Sequence, residues 1–135
     1  MIKRITDNGT LIAIVGSFED AGWGNNFITE PNLPMQLGVL RMNKEKIKDH
    51  IHKIRNRQCK SISNEFHLVL RGKVLVKLYN IEQKLIDKIV LSTNMFCALY
   101  NGGHGYEILK EDTLMIEIKM GEYTNKVDDK ILVGE

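Results

Sequence analysis

Apolar residues along this chain fall in short runs separated by polar and turn-forming residues. Leu11 to Val15 is one, followed by Met35 to Met42, Ile47 to Lys53, Glu65 to Leu70, Lys73 to Tyr79, Lys88 to Leu91, Met95 to Tyr100, His104 to Leu109 and Leu114 to Met120. Their β-branched and aromatic content and their length predict strands. Arg71-Gly72 reads as a turn that joins Glu65–Leu70 to Lys73–Tyr79 as a hairpin. Helical periodicity is weak throughout, and Ile81 to Ile89 reads either as a helical turn or as a strand-connecting loop. Many short strands at close spacing predict an all-β antiparallel sandwich or barrel rather than βαβ units. Both prolines lie in Pro31-Asn32-Leu33-Pro34, a rigid extended or turn segment. With no repeat, low-complexity stretch or linker, residues 1–135 read as one domain, long enough to bury roughly two-thirds of its unfolded surface.

Composition narrows the class without naming a function. An apolar share of 43% and a charged share of 27% are ordinary for a globular chain, and a net charge of +2 is too small for a surface that tracks phosphates. The local excess between Arg41 and Lys60 is different: eight basic side chains stand there against Glu45 and Asp49. It reads as a solvated loop or as a local pull on an anionic small molecule, with Arg55 and Arg57 as substrate-binding candidates because guanidinium forks match phosphate and carboxylate. Met1-Ile2-Lys3-Arg4-Ile5-Thr6-Asp7 has no apolar region behind its charges, so no secretory signal is expected, and the apolar runs are far too short to span a membrane. Cys59 and Cys97 are then expected to be reduced thiols, with Cys97 filling core. The expected address is the cytoplasm, with a small-molecule substrate as partner and neither nucleic acid nor membrane.

Histidine is scarce, which makes its placement informative. The four are His50, His52, His67 and His104. His50-x-His52 sits in a strand-like stretch, and a spacing of two puts both imidazoles on one face. Glu65 opens a strand that must turn at Gly72, and Glu65, His67 and Val69 share one face of it. Asn101-Gly102-Gly103-His104-Gly105 is a glycine-rich turn that releases a histidine onto the next strand. His50, His52, Glu65 and His104 can therefore converge on one divalent transition metal ion (Zn, Fe, Mn or Ni), with donors at roughly 2.0–2.2 Å.

His-x-His, then Glu-x6-Gly, then a histidine in a glycine turn is similar to the two motifs of the cupin superfamily. Nearly the whole chain resembles small single-domain bacterial cupins, through Gln36-Leu37-Gly38-Val39-Leu40, Gly102-Gly103-His104-Gly105-Tyr106-Glu107, Glu111-Asp112-Thr113, Glu117-Ile118-Lys119-Met120-Gly121-Glu122-Tyr123 and Asp128-Asp129-Lys130. The resemblance implies a double-stranded β-helix, or jelly-roll barrel, with the metal inside one end, commonly as a homodimer. Two features depart from the family pattern. Twelve residues separate His52 from Glu65, and the second motif lacks its usual proline.

Each candidate has a plainer alternative. His67 is either a core or supporting histidine beside the substrate, or a substitute ligand. Glu65 is a ligand or the ion-pair partner of Arg71. Glu117 and Lys119 alternate with Ile116 and Ile118, so they form an outward charged face, or else Lys119 enters the pocket as a catalytic acid or base. Tyr106 shares a face with His104 and either lines the cavity as a catalytic group or packs in the core. Trp23 is a lid or a packing anchor. The expected activity is a metal-dependent isomerase, epimerase or lyase acting on a small oxygen-rich molecule, sugar-like and anionic. The alternatives are a non-haem iron dioxygenase and a non-catalytic metal- or sugar-binding module.

Overall fold

The computed structural model describes residues 1–41, 43–44, 48–50, 64–120 and 131–134. Among these residues ten strands form and no α-helix does. Eight of the apolar runs contribute strands, whereas of the expected strand Ile47–Lys53 only residues 48–50 are described, outside any strand, and the rest lies outside the described residues. The strands are β1 (Lys3–Asp7), β2 (Thr10–Ser17), β3 (Gly24–Phe27), β4 (Gly38–Arg41), β5 (Glu65–Arg71), β6 (Lys73–Tyr79), β7 (Leu85–Ser92), β8 (Met95–Leu99), β9 (Gly103–Ile108) and β10 (Leu114–Lys119). One 3-10 turn, Phe18–Ala21, is capped by Ser17, whose hydroxyl accepts from the Glu19 amide at 3.3 Å. Among the described residues the protein is all-β with antiparallel pairing, as the sequence pattern predicts. A five-stranded sheet runs β1-β2-β8-β5-β10, a three-stranded sheet β7-β6-β9, and β3 and β4 form a separate ribbon.

The strands shuttle between the two larger sheets. β5 and β6 are consecutive but belong to different sheets, which corrects the expected hairpin at Gly72. The residue makes a corner instead: its φ is +96°, and a Cβ there would collide with the Thr113 side chain. A sheet-switching corner and a tight hairpin ask for the same residue, so local sequence does not distinguish them. True hairpins are β1–β2, turned by Asn8-Gly9 with both residues at positive φ, and β6–β7. The stretch Ile81 to Ile89 contributes a turn and then the start of β7 rather than a helix.

Alternation explains the packing. One face of the large sheet and one of the small sheet meet in a cluster that includes Ile12, Val15, Val69, Val74, Val76, Leu78, Leu91, Cys97 and Leu99. Cys97 is a free, buried thiol within it, as expected for a core filler; Cys59 lies outside the described residues. The other face of β2 and β8 carries Ile14, Phe96 and Ala98, and with Tyr100 these are covered by Phe18, Ile28, Leu33, Met35, Leu37 and Phe66. Phe18 and Phe66 stack on Phe96 with ring centroids at 5.0 and 5.9 Å. Because both of its faces are covered, β2 is buried without a break from Ile12 to Gly16, which is why Leu11 to Val15 reads as a continuous apolar run.

Candidate metal centre

Three strands turn from apolar to ionisable on their inward faces. On β5 the inward series is Val69, His67, Glu65. On β10 the directly paired residues are Met115, Glu117 and Lys119. Paired residues point to the same side of a sheet, so Glu117 and Lys119 face inward with His67 and Glu65. On β9, across from the end of β6, His104 pairs with Leu78 and Tyr106 with Val76, both fully buried. The turn before β9 depends on glycine: Gly102 has φ +74°, and a Cβ would strike the Tyr79 carbonyl oxygen. The Asn101 side chain ties that turn to β2, donating to the Leu11 carbonyl at 2.9 Å.

These placements bring Glu65, His67, His104 and Glu117 together, with one potential ligand atom from each lying within 4.8 Å of the others. Glu65 Oε2 is 2.7 Å from His104 Nε2 and 3.2 Å from His67 Nε2. His67 Nε2 is also 3.2 Å from Glu117 Oε1 and in contact with the Tyr106 hydroxyl. The three rings of His67, His104 and Tyr106 pack with centroids 4.7 to 5.1 Å apart. Lys119 Nζ approaches the other oxygen of Glu65, Oε1, at 3.3 Å.

Two details distinguish this group from an ordinary buried ion-pair cluster. Three oxygens surround His67 Nε2, which has only one proton or one lone pair to offer. In addition, Glu65 Oε2, His67 Nδ1 and His104 Nδ1 are buried with no hydrogen-bond partner; the short Glu65–His104 contact lacks the direction of a hydrogen bond. An unpaired buried polar atom costs about 1–3 kcal/mol. Glu65 Oε2 is both crowded and unpaired, and with His67 Nε2, His104 Nε2 and Glu117 Oε1 it makes a set of atoms that a shared cation at about 2.0–2.2 Å from each would satisfy; the two Nδ1 atoms belong to the other side of their rings.

Electrostatics keep the Glu65 carboxyl anionic. Burial alone would raise the Glu65 carboxyl, but contacts with the His104 and His67 imidazoles, and the charges of His104 and Lys119, outweigh it and hold the group far below the usual carboxylate range. Tyr106 moves the opposite way: burial first, then the Glu117 and Glu65 charges, push its phenol well above the ordinary value, so it stays protonated. Counting the two carboxylates and the one ammonium alone, the group carries one negative charge in excess, which a divalent cation would reverse.

Of the expected ligands, the structure brings Glu65 and His104 together. His67 joins them, fully buried, as a member of the group. His50 is exposed, with Nδ1 3.1 Å from the Lys48 carbonyl oxygen, and is not one of the four. His52, Arg55 and Arg57 lie outside the described residues. Lys119 and Tyr106 both reach the group. Arg71 pairs with Asp112 at 2.9 Å rather than with Glu65. Trp23 is exposed and carries Arg41 over its ring at 4.9 Å. Glu117 was missed by sequence reasoning because β10 inverts the usual rule: Ile116 and Ile118 lie on the outer face, while Glu117 and Lys119 share the face of His67 and Glu65. The available signal was register, since pairing Glu117 with His67 puts both on one face.

Compared with protein-family models, with curated proteins and with solved structures, the chain matches none. Among the described residues no helix is long and apolar enough to cross a membrane.

Proposed function

We propose that this chain is a metal-dependent cupin with a jelly-roll barrel, binding one divalent transition metal through Glu65, His67, His104 and Glu117. On this reading it is an isomerase, epimerase or lyase acting on a small oxygen-rich substrate, sugar-like and anionic. The observation that carries the metal reading is the crowding of oxygens around His67 Nε2 beside the buried, unpaired Glu65 Oε2. A bound divalent ion would supply Lewis acidity toward adjacent substrate oxygens. The chain's own residues supply the rest. Tyr106, kept protonated by burial, can donate a hydrogen bond from Oη to a substrate oxygen. The apolar wall behind His67, which includes Val69, Val76 and Cys97, keeps water from the inner side. The basic stretch with Arg55 and Arg57 supports an anionic substrate. The sequence resemblance to cupins supports a homodimer.

Elemental analysis of freshly purified protein tests the metal reading, followed by chelation and reloading with manganese, iron, zinc or nickel. About one ion per chain is expected. The double variant Glu65→Gln, His104→Ala should bind none, and unchanged stoichiometry in that variant would refute the site. Two imidazoles with a carboxylate also match the ligand set of non-haem iron oxygenases, which favours a dioxygenase as the second reading. Iron in the purified protein together with oxygen uptake would select it, and full activity without oxygen would remove it.

A further inference from the structure

The two oxygens of Glu65 have different neighbours. Oε2 faces the imidazoles, 2.7 Å from His104 Nε2 and 3.2 Å from His67 Nε2. Oε1 faces Lys119 Nζ at 3.3 Å. The division is built into the sheet, because Lys119 and Glu65 are direct partners across β10 and β5. A cross-strand pair holds its side chains side by side along their length, so the ammonium reaches the nearer oxygen and leaves the other for the group. The carboxyl is buried and the lysine side chain is only 32% exposed, so the contact is shielded from most of the screening that weakens surface pairs.

We infer that Lys119 is a specificity-determining residue of the proposed metal centre: by holding Oε1 it restricts Glu65 to one-oxygen ligation and selects a compact transition-metal ion over calcium. This rests on the metal-binding reading above. Calcium takes about six to eight oxygens in loose geometry and gains from carboxylates that offer both. Manganese and its neighbours accept imidazole and single carboxylate oxygens at shorter range. Turning both oxygens of Glu65 toward an ion breaks a charge-assisted contact, and calcium needs that turn more than manganese does. The positive charge of Lys119 also opposes any cation, but it opposes Mn²⁺ and Ca²⁺ alike, so the ratio of their affinities isolates the geometric effect.

The test uses the full-length chain, stripped by chelator, with Mn²⁺ binding followed by electron paramagnetic resonance and Ca²⁺ binding by calorimetry. The native chain should prefer Mn²⁺. Lys119→Met should reduce the Mn²⁺-to-Ca²⁺ preference by about tenfold or more, the scale on which groups supporting a ligand act. Lys119→Arg, which keeps a cation on Oε1, should retain most of the preference. Lys119→Gln serves in place of the methionine variant if circular dichroism shows that one misfolded. If Lys119→Met shifts both affinities by one common factor, Lys119 acts through charge alone; the assignment is overturned and the metal reading stands. If the native chain binds neither ion, both readings fall together.

Discussion

Two regions of this molecule bury polar side chains, and they treat them in opposite ways. On the outer side of the five-stranded sheet, the Tyr100 hydroxyl donates to the Met35 carbonyl at 2.8 Å. Nearby, the buried Thr29 hydroxyl accepts from the Leu37 amide at 3.0 Å and meets Gln36 Oε1 at 3.2 Å. Both buried hydroxyls have their partners, and they tie the overlay to β2 and β8. Between the sheets, Glu65 and His67 are buried and His104 is half-buried, yet three of their polar atoms are unpaired. The first arrangement contributes to stability. The second gives stability up, and a fold keeps such a cost where the site has work to do. The same strands show the change from one regime to the other: Val69 is followed inward along β5 by His67 and Glu65, and Met115 along β10 by Glu117 and Lys119.

The contrast is sharpened first at the apolar end. Leu91, fully buried between the sheets, should cost about 2–5 kcal/mol when replaced by alanine, read as a lower denaturant midpoint with an unchanged slope. Glu117→Gln should behave differently. In chelator its midpoint should move by less than about 1 kcal/mol, because Glu117 is partly exposed and its pairing with His67 is one of several competing contacts. Its metal affinity should fall at least about 10–100-fold, the range for groups one step further from an ion. Should Glu117→Gln cost as much stability as Leu91→Ala while metal binding is untouched, the ionisable end is structural and the comparison breaks.

How much of this could be read from the sequence depends on how local each signal is. β2, β5, β6, β8, β9 and β10 were legible because their apolar runs are local. β1 was not: KRITD buries only Ile5, and its partner β2 supplies most of its reason to be a strand. β3 was missed because Gly24-Asn25-Asn26-Phe27 has the composition of a turn. The switch between sheets at Gly72 was invisible because its cause, the close approach of Thr113, lies far along the chain. In the site, Glu65 and His104 announced themselves by residue type and by the glycine turn. Glu117 did not, since its inward orientation follows from pairing with β5 rather than from the alternation within β10.

The smallest effect tests the satisfied region. Burial pushes the Tyr100 phenol up to about 12; the Glu30 charge adds to the shift and the Arg4 charge opposes it. An unfolded tyrosine loses its proton near pH 10, about two units lower. Between those values the unfolded chain gives up a proton that the folded chain keeps, so stability is full below pH 10 and declines as pH rises toward 12. At pH 11 the loss from this group is about 1.4 kcal/mol. Tyr100→Phe removes that loss, and it also removes the bond to Met35, which is worth about 0.5–1.5 kcal/mol. Denaturation at pH 8 should therefore find the native chain ahead of Tyr100→Phe by about 1 kcal/mol, and at pH 11 the lead should be gone or reversed. A lead that persists unchanged at pH 11 would mean that Tyr100 ionises as readily folded as unfolded. The outer layer would then not be the tightly satisfied region that the contrast with the unpaired donors of Glu65, His67 and His104 requires.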